Sequence, residues 1–193
     1  MNITKRDKPV KIPKNAKRVF QGVIYDVYHW RQRNFDGSYS TFEMLKRPDT
    51  VIVVPTRPNK KIILMKEKQP NTHYFWSFPG GRREPGEGPS RAAARELKEE
   101  TGYQAEKLEL LEIFQPSSHV ERLIYTFIGK NCRQVAVAKP DPGEKITLRM
   151  VGFAQFLRLA DRRDLIDTHL KSMMLRARAD KKFRQALYKL MFG

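Results

Sequence analysis

The chain has 193 residues and carries 38 Lys+Arg against 21 Asp+Glu, a formal net charge of +17. Cys132 is the only cysteine, which excludes an intramolecular disulfide framework and a cysteine-based zinc site. No run in Met1–Lys17 resembles a signal core, none elsewhere is apolar and long enough to span a bilayer, and no linker or repeat divides the chain, so one main domain in the cytoplasm is expected.

Basic residues gather at the start, where Lys5, Arg6, Lys8, Lys11, Lys14, Lys17 and Arg18 precede the first apolar pattern. Val19–Trp30 is rich in β-branched and aromatic residues and reads as a strand. Asp36-Gly37 is a hairpin turn signal, and Tyr39–Leu45 returns beside that strand. Val51–Pro55 and Lys61–Met65 read as a second strand pair joined by a polar turn at Pro58-Asn59. Both are apolar without alternation, the pattern of strands covered on two faces.

Pro79, Gly80, Gly81, Pro85, Gly86 and Gly88 then make an irregular approach to a helix. Pro89 suits its first position, because the missing N–H has no partner there. Ser90–Thr101 supplies good helix formers and Gly102 a left-handed cap. Ala93 and Leu97 are expected to pack inward. Glu96, Glu99 and Glu100 lie at i, i+3 and i+4, so they share one face and repel one another. A hard divalent cation relieves that repulsion, and Mg²⁺ typically binds through a few carboxylates together with substrate phosphates. The pattern predicts a phosphate-handling metalloenzyme. A merely solvated helix with pairs such as Arg95–Glu99 accounts for neither the glycines nor Glu87.

Leu108–Phe114, Leu123–Ile128 and Ile146–Phe153 are further candidate strands, and helical patterns begin at Ala154. A mixed sheet between helices follows. In the last segment Phe183, Leu187, Leu190 and Met191 recur at helical spacing, which predicts an amphipathic helix packed on the parent domain. Arg176, Arg178, Lys181, Lys182, Arg184 and Lys189 make this end basic too. Charge at both ends would attract RNA, an anionic surface or polyphosphate.

Gly81, Glu87, Arg95, Glu96, Leu97, Glu99, Glu100, Gly102 and Tyr103 together resemble the signature of Nudix hydrolases. The resemblance implies an α/β/α sandwich, the Nudix fold, with a mixed β-sheet between helices and an N-terminal β-hairpin extension. It implies that Glu96, Glu99 and Glu100 hold catalytic Mg²⁺, with Mn²⁺ as the alternative, and that the Gly80 carbonyl adds a ligand. Arg95 and Glu87 would fix the carboxylate rotamers, and Gly81 and Gly102 would shape the loop and helix end. The order of VFQGVIYDVYHW, FDGSYSTFEML, VIVVP, IILMKEKQ and SFPGG resembles the ADP-ribose pyrophosphatase and nucleotide-sugar hydrolase branch.

That branch implies attack of water on a diphosphate, splitting ADP-ribose or a related nucleoside diphosphate sugar into a nucleoside monophosphate and a sugar phosphate. Glu99 and Arg95 join Glu144 as catalytic candidates. Glu144, in the loop PDPGEKI, aligns as base or extra metal ligand, with Asp141 as runner-up. The branch also implies a homodimer through the N-terminal hairpin, with Tyr25, Tyr28, Trp30 or Phe42 offered to the neighbour's pocket. Substrate contacts fall to Lys66, Lys68, Tyr28 and Glu121; where the family often has an arginine this chain has Gln69. The expected organisation is a basic segment 1–17, a hairpin region 18–47, and a hydrolase domain 48–193 ending in a basic helix. The alternatives are an RNA 5′-end pyrophosphohydrolase, a dinucleoside polyphosphate hydrolase, or a nucleic-acid-binding module on the same fold.

Overall fold

In the computed structural model, residues 5–6 and 9–193 are described. Residues 1–4, 7 and 8 of the basic segment 1–17 therefore lie outside the described residues, Lys8 among them, and of Lys5–Arg6 (β1) only the backbone enters.

The expected first strand is two strands. β2 (Lys17–Gln21) and β3 (Asp26–Arg33) are separated by a turn closed from Gly22 N to Tyr25 O at 3.0 Å. Only glycine fits there, since a Cβ on Gly22 would stand 2.5 Å from the Tyr25 oxygen. β4 (Tyr39–Lys46) completes an antiparallel meander, with Trp30 opposite Phe42.

β5 (Thr50–Pro55) and β6 (Ile62–Lys68) do not form the expected pair; they meet only at the isolated bridge Thr56–Ile62. The reason is edge occupancy. β7 (Phe75–Ser77) and β8 (Gly80–Arg82) follow, and β8 pairs with one edge of β5, so the two glycines of the supposed irregular approach are strand residues. After α1 (Pro89–Thr101) come β9 (Tyr103–Gln104), β10 (Lys107–Phe114), β11 (Val120–Glu121), β12 (Ile124–Lys130), β13 (Arg133–Gln134) and β14 (Lys145–Val151). β12 takes the other edge of β5 in parallel, giving the mixed order β1-β10-β12-β5-β8. β6 pairs instead with β14 and β7, and β11 adds to β4 beside the hairpin strands. The chain closes with α2 (Phe153–Arg158), α3 (Thr168–Ala179) and α4 (Lys181–Phe192).

Strand alternation sorts the core into two layers. Val51, Val53, Ile63 and Phe127 pack with Ala92, Ala93 and Leu97 of α1. Val54, Ile62, Leu64 and Ile128 pack with Phe156, Leu170, Met174, Phe183 and Leu187 of the C-terminal helices. The sheet strands lie between helices, the α/β/α arrangement. The last helix packs on the domain as its stripe predicts, with Phe183, Leu187 and Met191 buried and Asp180 accepting from Phe183 N at 3.0 Å as its cap. No helix among the described residues is long and apolar enough to cross a membrane.

Candidate active site

α1 starts and stops as its sequence dictates, with Pro89 in its first turn and Gly102 at φ 75° accepting the left-handed cap. Ala92, Ala93 and Leu97 anchor its inner face. The remaining face presents Arg95, Glu96, Glu99 and Glu100. Arg95 spends every guanidinium donor: Nε and Nη2 fork onto Glu87 at 3.0 and 3.1 Å, Nη1 reaches Glu96 at 2.9 and Glu99 at 3.0 Å, and Nη2 also meets the Arg82 carbonyl at 3.0 Å. These charge-assisted bonds hold the Glu87 carboxyl below its ordinary value and fix the rotamers around it. Arg83 extends the network, donating to the Glu87 carbonyl and to Asp49 at 2.8 Å.

The segment Ser77–Gly81 threads through buried acids. Ser77 Oγ donates to Glu67 at 2.9 Å, Phe78 N to Asp167 at 2.9 Å and Gly80 N to Glu100 at 2.8 Å. Gly81 lies against Glu96, where a Cβ would stand 2.3 Å from Oε1. Gln69 Nε2 holds the other Glu67 oxygen at 2.7 Å. Burial pushes Glu100 up to about 9, with the charges of Glu144, Glu96 and Glu67 adding to it and the Gly80 N–H opposing. Burial also raises Glu96 despite the Arg95 charge, and raises Glu144, where Glu67 contributes next. Asp167 is raised to about 7 by burial, with Glu67 adding.

Glu144 is brought here by the end of α1. Val135 N and Ala136 N donate to the Gly102 carbonyl at 2.9 and 3.1 Å, and Lys139 N to the Glu99 carbonyl at 2.7 Å. The chain then turns at Asp141–Glu144, closed by Glu144 N to Asp141 O at 2.9 Å. Glu144 is half-buried toward the acids and Asp141 is exposed, so Asp141 serves the turn.

Hard carboxylate oxygens around a buried, under-neutralised negative cluster are the donor set that suits a divalent cation. No ready-made cage of three such side chains exists among the described residues. Arg95 engages Glu96 and Glu99, and Gly80 N–H engages Glu100.

Other expected substrate contacts do not gather at these carboxylates. Lys66 and Lys68 project from the face of β6 opposite Glu67, because strand neighbours alternate, and their ammoniums lie 5.2 and 5.7 Å from the Tyr74 ring centroid. Glu121 is held by Lys46 at 2.8 Å and by Ile12 N at 2.6 Å, which ties the segment before β2 to the β4–β11 edge. Tyr28 stays in the hairpin sheet, opposite Met44 and Arg18. A cleft of about 780 Å³ opens away from the acids, between residues 10–15 and the hairpin strands, lined by Lys11, Trp30, Arg31, Arg33 and Phe42.

Sequence reasoning missed Glu67, Asp167, Arg47 and Arg122. Glu67 had one signal, a lone acid in an otherwise apolar and basic strand. Arg47 and Arg122 each keep a buried Nε without a partner among the described residues, and the Arg47 charge adds to burial in lowering Arg122. Arg122 Nη2 meets Thr50 at 2.7 Å, at the end of β5 beside β8. Behind it His169 stacks on Phe114 at 4.5 Å and is pushed down to about 4 by burial and the Arg122 charge.

A model of the family described as the NUDIX domain matches residues 46–170. An ADP-ribose pyrophosphatase of Bacillus subtilis (strain 168) is 29% identical over 154 residues, covering 78% of this chain and 83% of that protein. An ADP-sugar pyrophosphatase of Mus musculus is 44% identical over 69 residues, 33% of this chain and 32% of that one. The crystal structure of an ADP compounds hydrolase superposes with a TM-score of 0.72 at 23% identity, covering 90% of this chain and 96% of the other. That likeness establishes the shared fold.

Proposed function

The chain belongs to the NUDIX family, and from that premise we propose that it hydrolyses the diphosphate of ADP-ribose or a related nucleoside diphosphate sugar, releasing a nucleoside monophosphate and a sugar phosphate. The observation that carries this reading is the convergence of Glu67, Glu96, Glu100 and Glu144 about the Ser77–Gly81 segment, with Arg95 as the cation tied into it. The pyrophosphatase relatives support the substrate class.

Glu96, Glu99 and Glu100 are assigned the divalent cation, Mg²⁺ with Mn²⁺ as alternative, with the Gly80 peptide at its side. Such a cation, when bound, offsets phosphoryl charge and lowers the pKa of water. Glu144 is assigned removal of the proton from the attacking water, because its half-buried carboxyl faces the cluster from a separate loop. Arg95 and Glu87 position Glu96 and Glu99. The free buried Nε groups of Arg47 and Arg122 are assigned to the substrate's phosphates, a role suited to guanidinium donors.

A homodimer through residues 18–47 is supported by the apolar surface there. Val19, Phe20, Val23, Ile24 and Tyr25 are exposed by 39 to 98%, an unusual grouping for a monomer's surface. Residues 48–193 then form the hydrolase domain proper.

The test is a panel of ADP-ribose, ADP-sugars, dinucleoside polyphosphates and 5′-triphosphate RNA with Mg²⁺ or Mn²⁺, read by nucleotide release, with light scattering for the oligomer. The proposal expects AMP from the first two classes at the highest kcat/KM. Preference for triphosphate RNA would replace the substrate assignment, and a monomer at all concentrations would remove the dimer.

A further inference from the structure

We infer that Asp167, which lies outside the carboxylate face of α1, is a positioning residue that holds the Gly80 peptide where the divalent cation is assigned; the inference rests on that assignment. Its starting point is the connection between β7 and β8. β7 pairs with β6 and β8 with β5, so Phe78 and Pro79 carry the chain from one sheet to another. A peptide that leaves a ladder must satisfy its polar groups elsewhere. Here each residue of the crossing is tied to a different element. Ser77 Oγ donates to Glu67 of β6 at 2.9 Å, Phe78 N to Asp167 at 2.9 Å, Val53 N of β5 to the Pro79 carbonyl at 2.8 Å, and Gly80 N to Glu100 of α1 at 2.8 Å.

Asp167 reaches the crossing from the layer of C-terminal helices, across from α1. It stands at the N-cap of α3, where an aspartate ordinarily accepts from its own helix. Its side chain makes no such cap bond. Oδ2 turns instead to an amide 89 residues away in sequence, and the residue is only 7% exposed. The segment leading to it is registered against β7: Trp76 N donates to the Asp164 carbonyl at 2.7 Å, Ile166 N to the Trp76 carbonyl at 3.0 Å, and Trp76 bridges Leu165 in parallel. Behind it, Leu170 and Met174 anchor α3 in the core. The Phe78 amide therefore meets an acceptor fixed on both sides.

The consequence falls on Gly80. Pro79 has a fixed φ, and Gly80 is pressed against β5, since a Cβ there would stand 2.2 Å from the Val51 carbonyl. With so little slack, the Phe78 amide and the Gly80 carbonyl move together. Without Asp167 the buried Phe78 N–H would draw the crossing toward another acceptor and take the Gly80 peptide from its place beside Glu100. Groups that orient a metal's ligands are worth roughly ten- to a hundredfold in metal affinity. Asp167 acts through two intervening peptide units, which places its effect at the low end of that range.

The test reads Mn²⁺ binding by electron paramagnetic resonance on the full chain without nucleotide. Asp167→Ala should weaken Mn²⁺ about tenfold, whereas Asp167→Asn, which keeps an acceptor oxygen of the same reach, should stay within about threefold of wild type. With ADP-ribose, Asp167→Ala should raise the Mg²⁺ requirement by the factor seen for Mn²⁺ and change KM little. Met174→Ala, which loses core packing on the same helix, should lower Tm and leave Mn²⁺ affinity alone, so it separates positioning from general stability. If Asp167→Ala does not fold, the wild-type chain supplies the reciprocal measurement. A bond that favours the cation is favoured by it, so saturating Mg²⁺ should slow hydrogen exchange at the Phe78 amide about tenfold.

Equal Mn²⁺ affinity in Asp167→Ala and wild type, an asparagine variant as weak as the alanine one, an equal loss in Met174→Ala, or Phe78 exchange indifferent to Mg²⁺ overturns the positioning role. Because Mn²⁺ is read without nucleotide, these outcomes do not depend on which substrate the chain hydrolyses. A wild-type chain that binds no Mn²⁺ removes the cation assignment itself, and the inference falls with it.

Discussion

Gly81→Ala should leave a folded protein with a badly damaged site. The added Cβ would stand 2.3 Å from Glu96 Oε1 and 2.5 Å from its carboxyl carbon, whereas ordinary contact begins at 3.4 Å. The carboxylate must therefore retreat by about 1 Å, and a misplacement of that size costs about a hundredfold in rate, or ~2.7 kcal/mol of transition-state stabilisation. Its 2.9 Å bond to Arg95 would be lost on the way. Stability should fall by less than about 1.5 kcal/mol, because the obstructing atoms are the end of a side chain that can give way. Gly80→Ala is the internal contrast: its Cβ would meet the Val51 carbonyl at 2.2 Å and the Ile52 Cα at 3.0 Å, both backbone of a central strand. Nothing there can yield, and a loss of about 3 kcal/mol is expected. The assay is initial AMP release from ADP-ribose at saturating Mg²⁺, paired with urea unfolding. Wild-type turnover in Gly81→Ala, or equal destabilisation by both alanines, would refute the reasoning.

Arg95→Ala removes five hydrogen bonds from a side chain one-quarter exposed, so about 2 kcal/mol should be lost rather than the 3–5 typical of a fully buried pair. Arg95→Lys should not restore it, since one ammonium cannot fork onto Glu87 while reaching Glu96 and Glu99; coincident urea curves for the lysine variant and wild type would disprove this. Glu144→Gln should lower kcat far more than it changes KM if the residue takes the proton in the transition state, and a KM effect alone would reassign it to binding. His169 titrates near 6.5 when unfolded and is pushed down to about 4 when folded, so acid favours the unfolded chain. Stability from this residue is intact above pH 6.5 and falls by up to about 3 kcal/mol toward pH 4. His169→Phe should flatten that slope in pH-dependent unfolding, and parallel slopes would count against the buried neutral imidazole.

What the sequence revealed was what local geometry encodes. α1, its Pro89 start, its Gly102 stop and the shared face of Glu96, Glu99 and Glu100 follow from spacings of three and four residues along one chain segment. Glu67 was hidden because its neighbourhood is made by pairing. It approaches Glu144 only through the β6–β14 register, in which Glu67 stands opposite Ile146 and Lys68 opposite Lys145. The same alternation sets Lys66 and Lys68 on the face of β6 opposite Glu67, because their proximity in sequence guarantees that they face away from it. Val51–Pro55 and Lys61–Met65 looked like a hairpin because a turn joins them. Which strands claim the edges of β5 is decided by β8 and β12, and no turn signal contains that information.

The three hydrogen bonds that fasten residues 135–139 to the C-terminal end of α1 set how far Glu144 can travel. Only Pro140–Gly143 lies between the last of these anchors and Glu144, and two of those four residues are prolines with fixed φ. A loop so tethered cannot swing as a lid hinged at distant ends. Any displacement of Glu144 must be taken up within this short stiff span or passed back into the helix that carries Glu99. The two sides of the carboxylate cluster are therefore tied through the backbone: the loop that presents Glu144 hangs from the same helix end that carries Glu99.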